Sequence, residues 1–382
     1  MAAMAHSRIV SQLTAEGYHG AALAVSSATG TPPAVGGGRS AAALPGNSAY
    51  QLRGTATDLG TRPVASFSGD GRYVAVGTGE GVAYVFEADA LVRGAEGALC
   101  RYAGGHTDAV NDVDFHPTSA VLVSGSEDAT LHFYEYANPP AAVGRGGASR
   151  TCADTHPVTS CAFHPAGKHL LVGTAHPALH LYDVQTFRCF LSPDASQHHR
   201  AAITDARWAA DGSMSASCAA GEVKLWDGGS FACVATLARP HGGALVGSVA
   251  FSRDGRYLLT SGADSALKLW DVRAMRDAAG ADGGGGVVRA PRPLRTYEGG
   301  DGTLPRRCGC FSDTGACVIG ADESAASAVV WASAVADDDA PPGGAVLGRL
   351  CGHARPVRCV AHAPNSATLV TAADDGTVAV WA

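Results

Sequence analysis

An aromatic residue that ends a short apolar stretch returns seven times along this chain, and this repeat limits the possible folds more than any other feature. The seven aromatics are Phe86, Tyr134, Tyr182, Trp226, Trp270, Trp331 and Trp381. Successive aromatics are 48, 48, 44, 44, 61 and 50 residues apart. A period in the forties with four short strands per unit is typical of a β-propeller. The sequence therefore predicts an all-β fold with seven blades.

Three of the units carry a set of polar residues that is typical of the WD repeat. In that repeat a His before the first strand, a Ser or Thr on the second, an Asp in the following turn and a Trp on the third form a buried hydrogen-bonded chain that stiffens the blade. The second, fifth and seventh units match best, with the Asp six residues before the aromatic. The matching residues are His106, Asp128 and Tyr134; His241, Asp264 and Trp270; and His353, Asp375 and Trp381. We predict a structural role for all nine.

The other four units depart from this pattern. Six residues before the aromatic, the first, third and fourth units carry Glu80, His176 and Ala220. In the sixth unit an insertion places Asp322 too early for its aromatic. We therefore expect these four blades to be held by apolar packing and by their neighbours.

The chain divides into three parts by composition. Residues 49–382 contain the repeats, and residues 26–48 are a linker rich in Gly, Pro and Ala. Residues 1–25 are predicted to be a short helical, dimerisation-like segment. Its candidate dimer contacts are Ile9, Val10, Leu13, Tyr18 and Leu23. Two short helices bury little surface alone, so this segment is expected to bind a second copy, and the alternatives are packing on its own propeller or disorder.

The segment Tyr50–Arg53 precedes the first unit and belongs to none, whereas Trp381 closes only the third strand of the seventh unit. We expect this segment to supply the missing outer strand, which would close the ring and remove an exposed sheet edge. Residues 273–293 and 337–344 are insertions after the third strands of the fifth and sixth units, and both are predicted to be solvated loops.

Composition and motifs give no indication of catalysis. The net charge of −7 argues against direct nucleic-acid binding, which favours a basic surface. Gly-x-Ser-x-Gly and phosphate-loop motifs are absent from the sequence. The one tight cysteine cluster, Cys308, Cys310 and Cys317, lacks the spacing of a zinc site. The eleven cysteines indicate reduced thiols in a cytosolic or nuclear protein. We predict no catalytic residues, cofactor, metal or membrane association.

Several motifs resemble one family of WD-repeat proteins, the WD-repeat subunit of cleavage stimulation factor, a complex that acts in pre-mRNA 3′-end cleavage and polyadenylation. The strongest is the third unit, Cys161–Phe190, in which a His176-Pro177 turn replaces the usual Asp. The stretches Ser124–Asp128 and Val223–Gly228 are also similar, and Ile9–Tyr18 resembles the start of the family's helical dimerisation domain. That domain is longer in the family, which puts part of the dimer surface in doubt.

The resemblance implies a non-catalytic scaffold subunit in the nucleus. Its propeller would bind other subunits of the factor and the tail of RNA polymerase II, its N-terminus would form a homodimer, and it would not bind RNA itself. The alternative is a WD-repeat adaptor of a ubiquitin ligase or of another RNA-processing complex. Arg355 and Arg358 are candidate partner-facing residues for an acidic or phosphorylated segment, although both are also compatible with ordinary solvated side chains.

Overall fold

The computed structural model describes residues 50–95, 97–137, 148–192, 194–280, 287–289, 292–298, 309–322, 324–333 and 344–382. The predicted segments 1–25 and 26–48, the five candidate dimer contacts, Cys308 and nearly all of the 337–344 insertion lie outside these residues. The described residues form seven sheets, which confirms the predicted all-β propeller with seven blades.

The blades follow one another along the chain, and their strands are antiparallel except where noted. Blade 1 contains β2 (Val64–Phe67), β3 (Tyr73–Gly77), β4 (Ala83–Glu87) and β5 (Cys100–Tyr102). Blade 2 contains β6 (Val110–Phe115), β7 (Val121–Ser126), β8 (Thr130–Glu135) and β9 (Arg150–Ala153). Blade 3 contains β10 (Val158–Phe163), β11 (His169–Thr174), β12 (His180–Asp183) and β13 (Cys189–Phe190).

The later blades include two additions to this plan. Blade 4 contains β14 (Ile203–Trp208), β15 (Met214–Ala219), β16 (Glu222–Asp227), β17 (Cys233–Ala238) and a fifth, parallel strand, β21 (Val287–Arg289). Blade 5 contains β18 (Val246–Phe251), β19 (Tyr257–Gly262), β20 (Ala266–Asp271) and β22 (Arg295–Glu298). Blade 6 contains β23 (Gly309–Phe311), β24 (Cys317–Asp322), β25 (Ser327–Ala332) and β26 (Val346–Cys351). Blade 7 contains β27 (Val357–His362), β28 (Leu369–Ala373), β29 (Val378–Trp381) and β1 (Leu52–Ala56).

The first strands of successive blades contact one another around the ring and surround its central channel. The core lies between the blades, because apolar side chains of one sheet pack on the next sheet. All seven repeating aromatics belong to this core. Their exposed fractions are Phe86 1%, Tyr134 1%, Tyr182 6%, Trp226 0%, Trp270 1%, Trp331 1% and Trp381 3%. The repeat is therefore the packing signal of the blades.

The ring closes where its first and last strands meet, as predicted. β1 pairs antiparallel with β29, with Leu52 opposite Trp381 and Ala56 opposite Val378. One residue earlier, Gln51 N–H donates to the Ala382 carbonyl at 3.1 Å, and Ala382 N–H donates back at 3.0 Å. The strand extends to Ala56, beyond the predicted segment. It gives the last blade its fourth strand and covers the edge of β29.

The insertion after the fifth blade's third strand is ordered in part, so its prediction as a solvated loop was wrong. Residues Val272–Gly280 form a helix, α2, and β21 follows on the outer edge of β17. The Asp271 carboxylate accepts hydrogen bonds from the N–H groups of Arg273 at 2.8 Å and Ala274 at 3.1 Å, and so starts the helix. Met275 is only 2% exposed because it packs in the blade 4 core.

Two short helical turns complete the described structure. The helix α1 (Ala88–Val92) follows blade 1 and buries Leu91 against it, and a 3₁₀ turn spans Ala195–Gln197. Asp194 caps that turn by accepting a hydrogen bond from Ser196 N–H. Within the described residues, no helix is long and apolar enough to cross a membrane.

Candidate functional site

The two ends of the ring are built from different loops. We call one end the network face: it carries the loops that enter the first strands and the turns between second and third strands. We call the other end the hairpin face: it carries the hairpins between first and second strands. Because neighbouring strands are antiparallel, the polar residues singled out in the sequence come together on the network face.

Blade 5 shows the hydrogen-bonded chain in its simplest form. Trp270 Nε1 donates to Thr260 Oγ1 at 2.9 Å, and that oxygen lies 2.8 Å from His241 Nε2. His241 Nδ1 lies 2.7 Å from Asp264, which Lys268 Nζ also approaches at 3.0 Å. The indole can only donate and the carboxylate can only accept, so the direction of every hydrogen bond is fixed. Trp270 donates to Thr260, Thr260 donates to His241, and His241 donates to Asp264.

Blade 7 contains the same chain with one additional hydroxyl. Thr371 Oγ1 accepts from Trp381 Nε1 at 2.9 Å and lies 2.7 Å from His353 Nε2. On the other side of the ring, His353 Nδ1 lies 2.8 Å from Thr377 Oγ1, which donates to Asp375 at 2.5 Å. Thr377 therefore accepts from His353 Nδ1 and donates to one oxygen of the Asp375 carboxylate. The other carboxylate oxygen accepts from the backbone N–H of Ala354 in the incoming loop.

Blade 2 replaces the tryptophan by a tyrosine. His106 Nε2 lies 2.6 Å from Ser124 Oγ, and His106 Nδ1 lies 3.0 Å from Asp128. Tyr134 stacks on Tyr102 of the preceding blade with ring centroids 4.3 Å apart. Eight of the nine residues predicted to be structural thus lie in three hydrogen-bonded chains, one in each of blades 2, 5 and 7, and the ninth, Tyr134, is buried with its hydroxyl 3.4 Å from His132 Nδ1.

Blade 4 contains a complete chain, contrary to the expectation that it is held by apolar packing and by its neighbours. Ser217 Oγ accepts from Trp226 Nε1 at 2.8 Å and lies 2.6 Å from His199 Nε2. The acid is Glu222, 2.9 Å from His199 Nδ1. The turn between second and third strands is one residue shorter than in blade 5, so the carboxylate comes from the start of the strand and needs the longer side chain. His199 lies four residues before Ile203, the first residue of the blade's first strand, and this spacing was the sequence signal for the chain.

Blade 3 also has a polar network, with the acid and the imidazole exchanged. Asp154 occupies the loop position that holds a histidine in blades 2, 4, 5 and 7. Its Oδ2 accepts from Tyr182 Oη at 2.6 Å and lies 2.8 Å from His180 Nδ1. His176, in the turn, bonds only locally, with Ala178 N–H donating to its Nδ1 at 3.1 Å. Expecting this blade to lack a network was therefore wrong.

Blades 1 and 6 lack the chain within their described residues, as expected. In blade 1, Glu80 accepts from the backbone and hydroxyl of Thr61. In blade 6, Asp322 pairs with Arg349 of the outer strand, and the buried Trp331 Nε1 has no hydrogen-bond partner among the described residues. These two blades depend on packing and on their neighbours.

The imidazoles in the chains are held neutral. Burial lowers the pKa of His106, His199, His241 and His353, and the neighbouring carboxylates offset this only in part. Burial would raise the pKa of Asp264, but His241 and Lys268 outweigh it and lower that pKa. A neutral histidine can accept a hydrogen bond at Nε2 and donate one at Nδ1, as its place between a hydroxyl and a carboxylate requires. All of these polar groups are engaged in hydrogen bonds within their own blades.

Histidines also join neighbouring blades on the hairpin face. In the Phe115-His116-Pro117 hairpin, His116 Nδ1 accepts from the backbone, and Nε2 lies 3.0 Å from the Gly167 carbonyl of the next blade. Gly167 has a φ of +73°, and a Cβ there would lie 2.5 Å from the His116 ring. The repeated Phe-His-Pro motif, predicted to be turn chemistry, therefore also clasps adjacent hairpins.

The channel wall contains a largely buried ion cluster that links four blades. Arg207 of β14 pairs with Asp112 of β6 and with Asp205 of its own strand, both at 2.8 Å. Burial would lower the pKa of Arg207, but these carboxylates outweigh it and raise the pKa. The same aspartates accept from Cys161 N–H and Val249 N–H of the following blades at 2.8 Å and 3.1 Å. The charges therefore fasten first strands to one another.

The hairpin-face end of the channel opens into a cavity of about 370 Å³. Its lining is mostly apolar and aromatic and includes Phe67, Phe163, Trp208 and Phe251. Within the described part of the chain, no three His, Cys, Asp or Glu residues are grouped so that they could hold a metal ion. The cavity is therefore a mostly apolar recess at the hairpin face.

The two candidate partner-facing arginines differ in their surroundings. Arg355 lies exposed in a loop of the network face. Arg358 lies on the first strand of blade 7, where its Nε donates to Asp374 at 2.6 Å and its side chain is 17% exposed. Arg355 therefore presents its charge to solvent, whereas Arg358 is engaged within the blade.

Comparison with known proteins agrees with this architecture. The family described as "WD domain, G-beta repeat" matches residues 98–135, 148–183, 192–227, 231–271 and 344–382. The Cps50 (Swd1) β-propeller domain of Myceliophteria thermophila aligns with a TM-score of 0.68 over 87% of this chain and 99% of that one, at 15% identity. At this identity the likeness shows the fold alone.

Two curated relatives are similar in sequence. Cleavage stimulation factor subunit 50 of Arabidopsis thaliana is 36% identical over 207 residues, which are 52% of this chain and 47% of the relative. Pre-mRNA-processing factor 19 of Oryza sativa subsp. japonica is 28% identical over 160 residues, which are 42% of this chain and 29% of the relative. The chain thus spans less than half the length of either relative. From its blades, its repeat matches and these similarities, the chain belongs to the WD-repeat β-propeller family and is a relative of the WD-repeat subunit of cleavage stimulation factor.

Proposed function

We propose that this protein is a non-catalytic scaffold subunit of a nuclear complex for pre-mRNA 3′-end cleavage and polyadenylation. The observation that carries the proposal is the 36% identity to cleavage stimulation factor subunit 50 over 207 residues. The net charge of −7 supports a role in which another subunit contacts the RNA. The partners are the other subunits of cleavage stimulation factor and the tail of RNA polymerase II.

The geometry of the propeller supports a binding role over a catalytic one. The histidines of the blade networks are buried, and their carboxylates, although partly exposed, are paired with them and so engaged within the fold. What the network face presents to solvent is loop backbone and scattered charges such as Arg355. A rigid ring with exposed loops is well suited to hold several proteins in a fixed arrangement.

Affinity purification of the tagged full-length chain from nuclear extract of the source organism, quantified by mass spectrometry, tests the proposal. We expect enrichment of the other cleavage stimulation factor subunits and of RNA polymerase II over a tag-only control. Enrichment of a ubiquitin ligase, or of a particle containing other RNA-processing factors without these subunits, would overturn it. The similarity to pre-mRNA-processing factor 19 makes such a particle the second candidate.

The same experiment with charge-reversal variants tests which face binds. We propose that Arg355 meets an acidic or phosphorylated segment of a partner. Arg355→Glu should then reduce the recovery of one partner several-fold. The matched control is Arg256→Glu, which reverses an exposed arginine on the hairpin face. Equal recovery with both variants would contradict a role for Arg355.

We also propose that residues 1–25 form a homodimer through Ile9, Val10, Leu13, Tyr18 and Leu23. Leu13→Asp should halve the mass of the particle measured by light scattering, because it places a charge in an apolar contact. Gln12→Asp introduces the same charge at the neighbouring position and should leave the mass unchanged. A wild-type protein of monomeric mass would contradict the dimer directly.

A further inference from the structure

The outer edge of blade 3 exposes two large apolar side chains that are adjacent in the chain. Its outer strand, β13, has only two residues, Cys189 and Phe190, and both are exposed. The side chains of Phe190 and the following Leu191 are 50% and 47% exposed. By contrast, the outer strands of blades 1 and 4 are largely buried. Two adjacent large apolar side chains are therefore left in water at one sheet edge.

The backbone of this edge is also available for pairing. Asp183 N–H donates to the Arg188 carbonyl at 3.0 Å, and Phe190 lies opposite Leu181 in the ladder. Along an antiparallel strand the backbone groups of successive residues point alternately to the two sides. Because Arg188 and Phe190 point inward, the N–H and carbonyl groups of Cys189 and Leu191 point away from the sheet. They form an open template for a further strand.

The neighbouring blade shows that the fold accommodates such a strand. On blade 4 the outer strand β17 is itself covered by β21 of the same chain, with Thr236 opposite Val287 and Ala238 opposite Arg289. This fifth strand lies at the sheet level that is vacant on blade 3. The described residues place no strand beyond β13. An added strand on blade 3 would therefore repeat an arrangement that already exists next to it.

The charge around the edge selects the kind of strand. Arg188 is exposed and shares a sheet face with Phe190. Arg150 of blade 2 lies with its guanidinium 5.5 Å from the centre of the Phe187 ring, on the same rim. The nearest carboxylate in the turn, Asp183, accepts from the backbone of Gln185 and Thr186. The hydrogen bonds from Thr186 lower the pKa of Asp183, so this carboxylate stays ionised, and two guanidinium groups against one carboxylate give the rim a net positive charge.

This positive charge argues against pairing between two copies of the chain. A symmetric pair of β13 edges would bring the Arg188 side chains of the two copies together, and like charges across a ladder are unfavourable. A strand that carries carboxylates on the Arg188 face and apolar side chains on the Leu191 face fits both properties of the edge.

We propose that the outer edge of blade 3 binds an extended acidic segment of a partner protein as an additional β strand. The segment bonds through the backbone of Cys189 and Leu191, places its carboxylates beside Arg188 and Arg150, and covers Leu191 with its apolar side chains. This site does not depend on which complex contains the protein.

The test uses the full-length protein and fluorescein-labelled peptides in which Glu and Val alternate. This pattern places Glu on the Arg188 face and Val on the Leu191 face. We expect saturable binding by fluorescence polarisation. A peptide with Lys in place of Glu should bind at least about fivefold more weakly, since each opposite-charge pair becomes a like-charge pair. A peptide with alternate N-methylated amides cannot donate to the edge and should not bind.

Protein variants locate the site. Arg188→Glu should weaken the Glu peptide and strengthen the Lys peptide, a reversal that misfolding cannot produce. Leu191→Ser should weaken both peptides. Val346→Ser is the matched control, because Val346 is a 56% exposed apolar residue on the outer strand of blade 6, and it should change neither affinity.

Three outcomes would overturn the proposal. One is the absence of binding by the Glu peptide. Another is equal binding by the N-methylated peptide. The third is binding to Arg188→Glu with an unchanged preference for Glu over Lys.

Discussion

A hydroxyl group on the second strand is the centre of the polar network in four of the blades. Ser124, Ser217, Thr260 and Thr371 each lie within hydrogen-bonding distance of a histidine Nε2. In blades 4, 5 and 7 the same oxygen also accepts from the tryptophan indole. The acid varies more, from Asp in the turn to Glu on the strand. At the scale of single residues the hydroxyl is therefore the part of the chain that the other partners require.

Ser217→Ala tests this at the position where the sequence pattern was least clear. It leaves the buried His199 Nε2 and Trp226 Nε1 without a partner, and we expect a loss of about 1–3 kcal/mol in the free energy of unfolding. Ser215→Ala is the control in the same strand, since Ser215 Oγ is equally buried and has no hydrogen-bond partner among the described residues. Denaturant titration of both variants gives the comparison. Equal losses would mean that the chain through Ser217 adds no stability.

At the scale of elements, the hairpins between first and second strands do more than reverse the chain. His116 reaches from one hairpin to the Gly167 carbonyl of the next, and its ring packs edge-on against Phe163 with centroids 5.0 Å apart. The His164 ring packs in the same way against Trp208 at 4.6 Å. The histidine of each Phe-His-Pro hairpin thus contacts the aromatic that ends the following blade's first strand. These contacts couple neighbouring blades at the hairpin face.

Gly167→Ala should break one such clasp. The added Cβ would meet the His116 ring, and the φ of +73° adds backbone strain. Gly315→Ala is the matched control: this glycine occupies the same hairpin position in blade 6 with the same φ of +73°, and nothing lies within 4 Å of its Cβ position. We expect Gly167→Ala to lower the thermal midpoint further, by the equivalent of about 1–2 kcal/mol. Equal midpoints for the two variants would exclude a stabilising clasp.

At the scale of the whole molecule, stability depends on a ring without open ends. β1 brings the beginning of the propeller to its last blade, and Tyr50, 3% exposed, packs there with its hydroxyl 3.1 Å from His362 Nε2. Every blade then lies between two neighbours. Loss of one junction should therefore weaken the entire ring.

Deleting residues 49–53 should lower the midpoint of cooperative thermal unfolding for the whole propeller, because it removes Tyr50 and the beginning of β1. Deleting residues 30–34 from the linker is the length-matched control and should have no effect. Circular dichroism follows the unfolding of all blades together. An unchanged midpoint after the first deletion, or the loss of a small separate transition only, would contradict closure by β1 as a source of global stability.

Acid should destabilise the propeller well before its carboxylates titrate. The pKa values of His106, His199, His241 and His353 are lowered in the folded state, whereas a histidine in the unfolded chain titrates near pH 6.5. The unfolded state therefore takes up protons first. The stabilisation is complete above about pH 6.5 and is lost as the pH falls towards the folded values.

The partner carboxylates Asp128, Glu222, Asp264 and Asp375 also have lowered pKa values, so their contribution is lost only at lower pH, beginning near pH 4. We expect the thermal midpoint to fall between about pH 7 and pH 5. His241→Gln should have a lower midpoint but a shallower pH dependence, since one titrating group is removed. A midpoint that is flat over this interval would contradict the buried neutral histidines.

Prediction from sequence succeeded where a local pattern is repeated. Seven aromatics at similar spacing were enough to predict the number of blades. The short segment before the first repeat was enough to predict how the ring closes. In blades 3 and 4 the same reasoning was wrong, because it looked for an acid at one fixed distance from the aromatic. Asp154 reaches its histidine from the loop that enters the first strand, and Glu222 reaches His199 from the start of the third strand, so neither lies at that distance.

The sequence by itself determined the all-β class, the seven blades and their order, because each blade is a local unit whose strands are adjacent in the chain. Only the tertiary structure decided that Arg207 joins Asp112 across three blades, that residues 272–280 fold as a helix around Met275 and that β21 covers the edge of β17. It also decided that the outer edge of blade 3 leaves Phe190 and Leu191 exposed to solvent. These features depend on contacts between residues far apart in the chain, and a local pattern carries no information about which distant surfaces will meet.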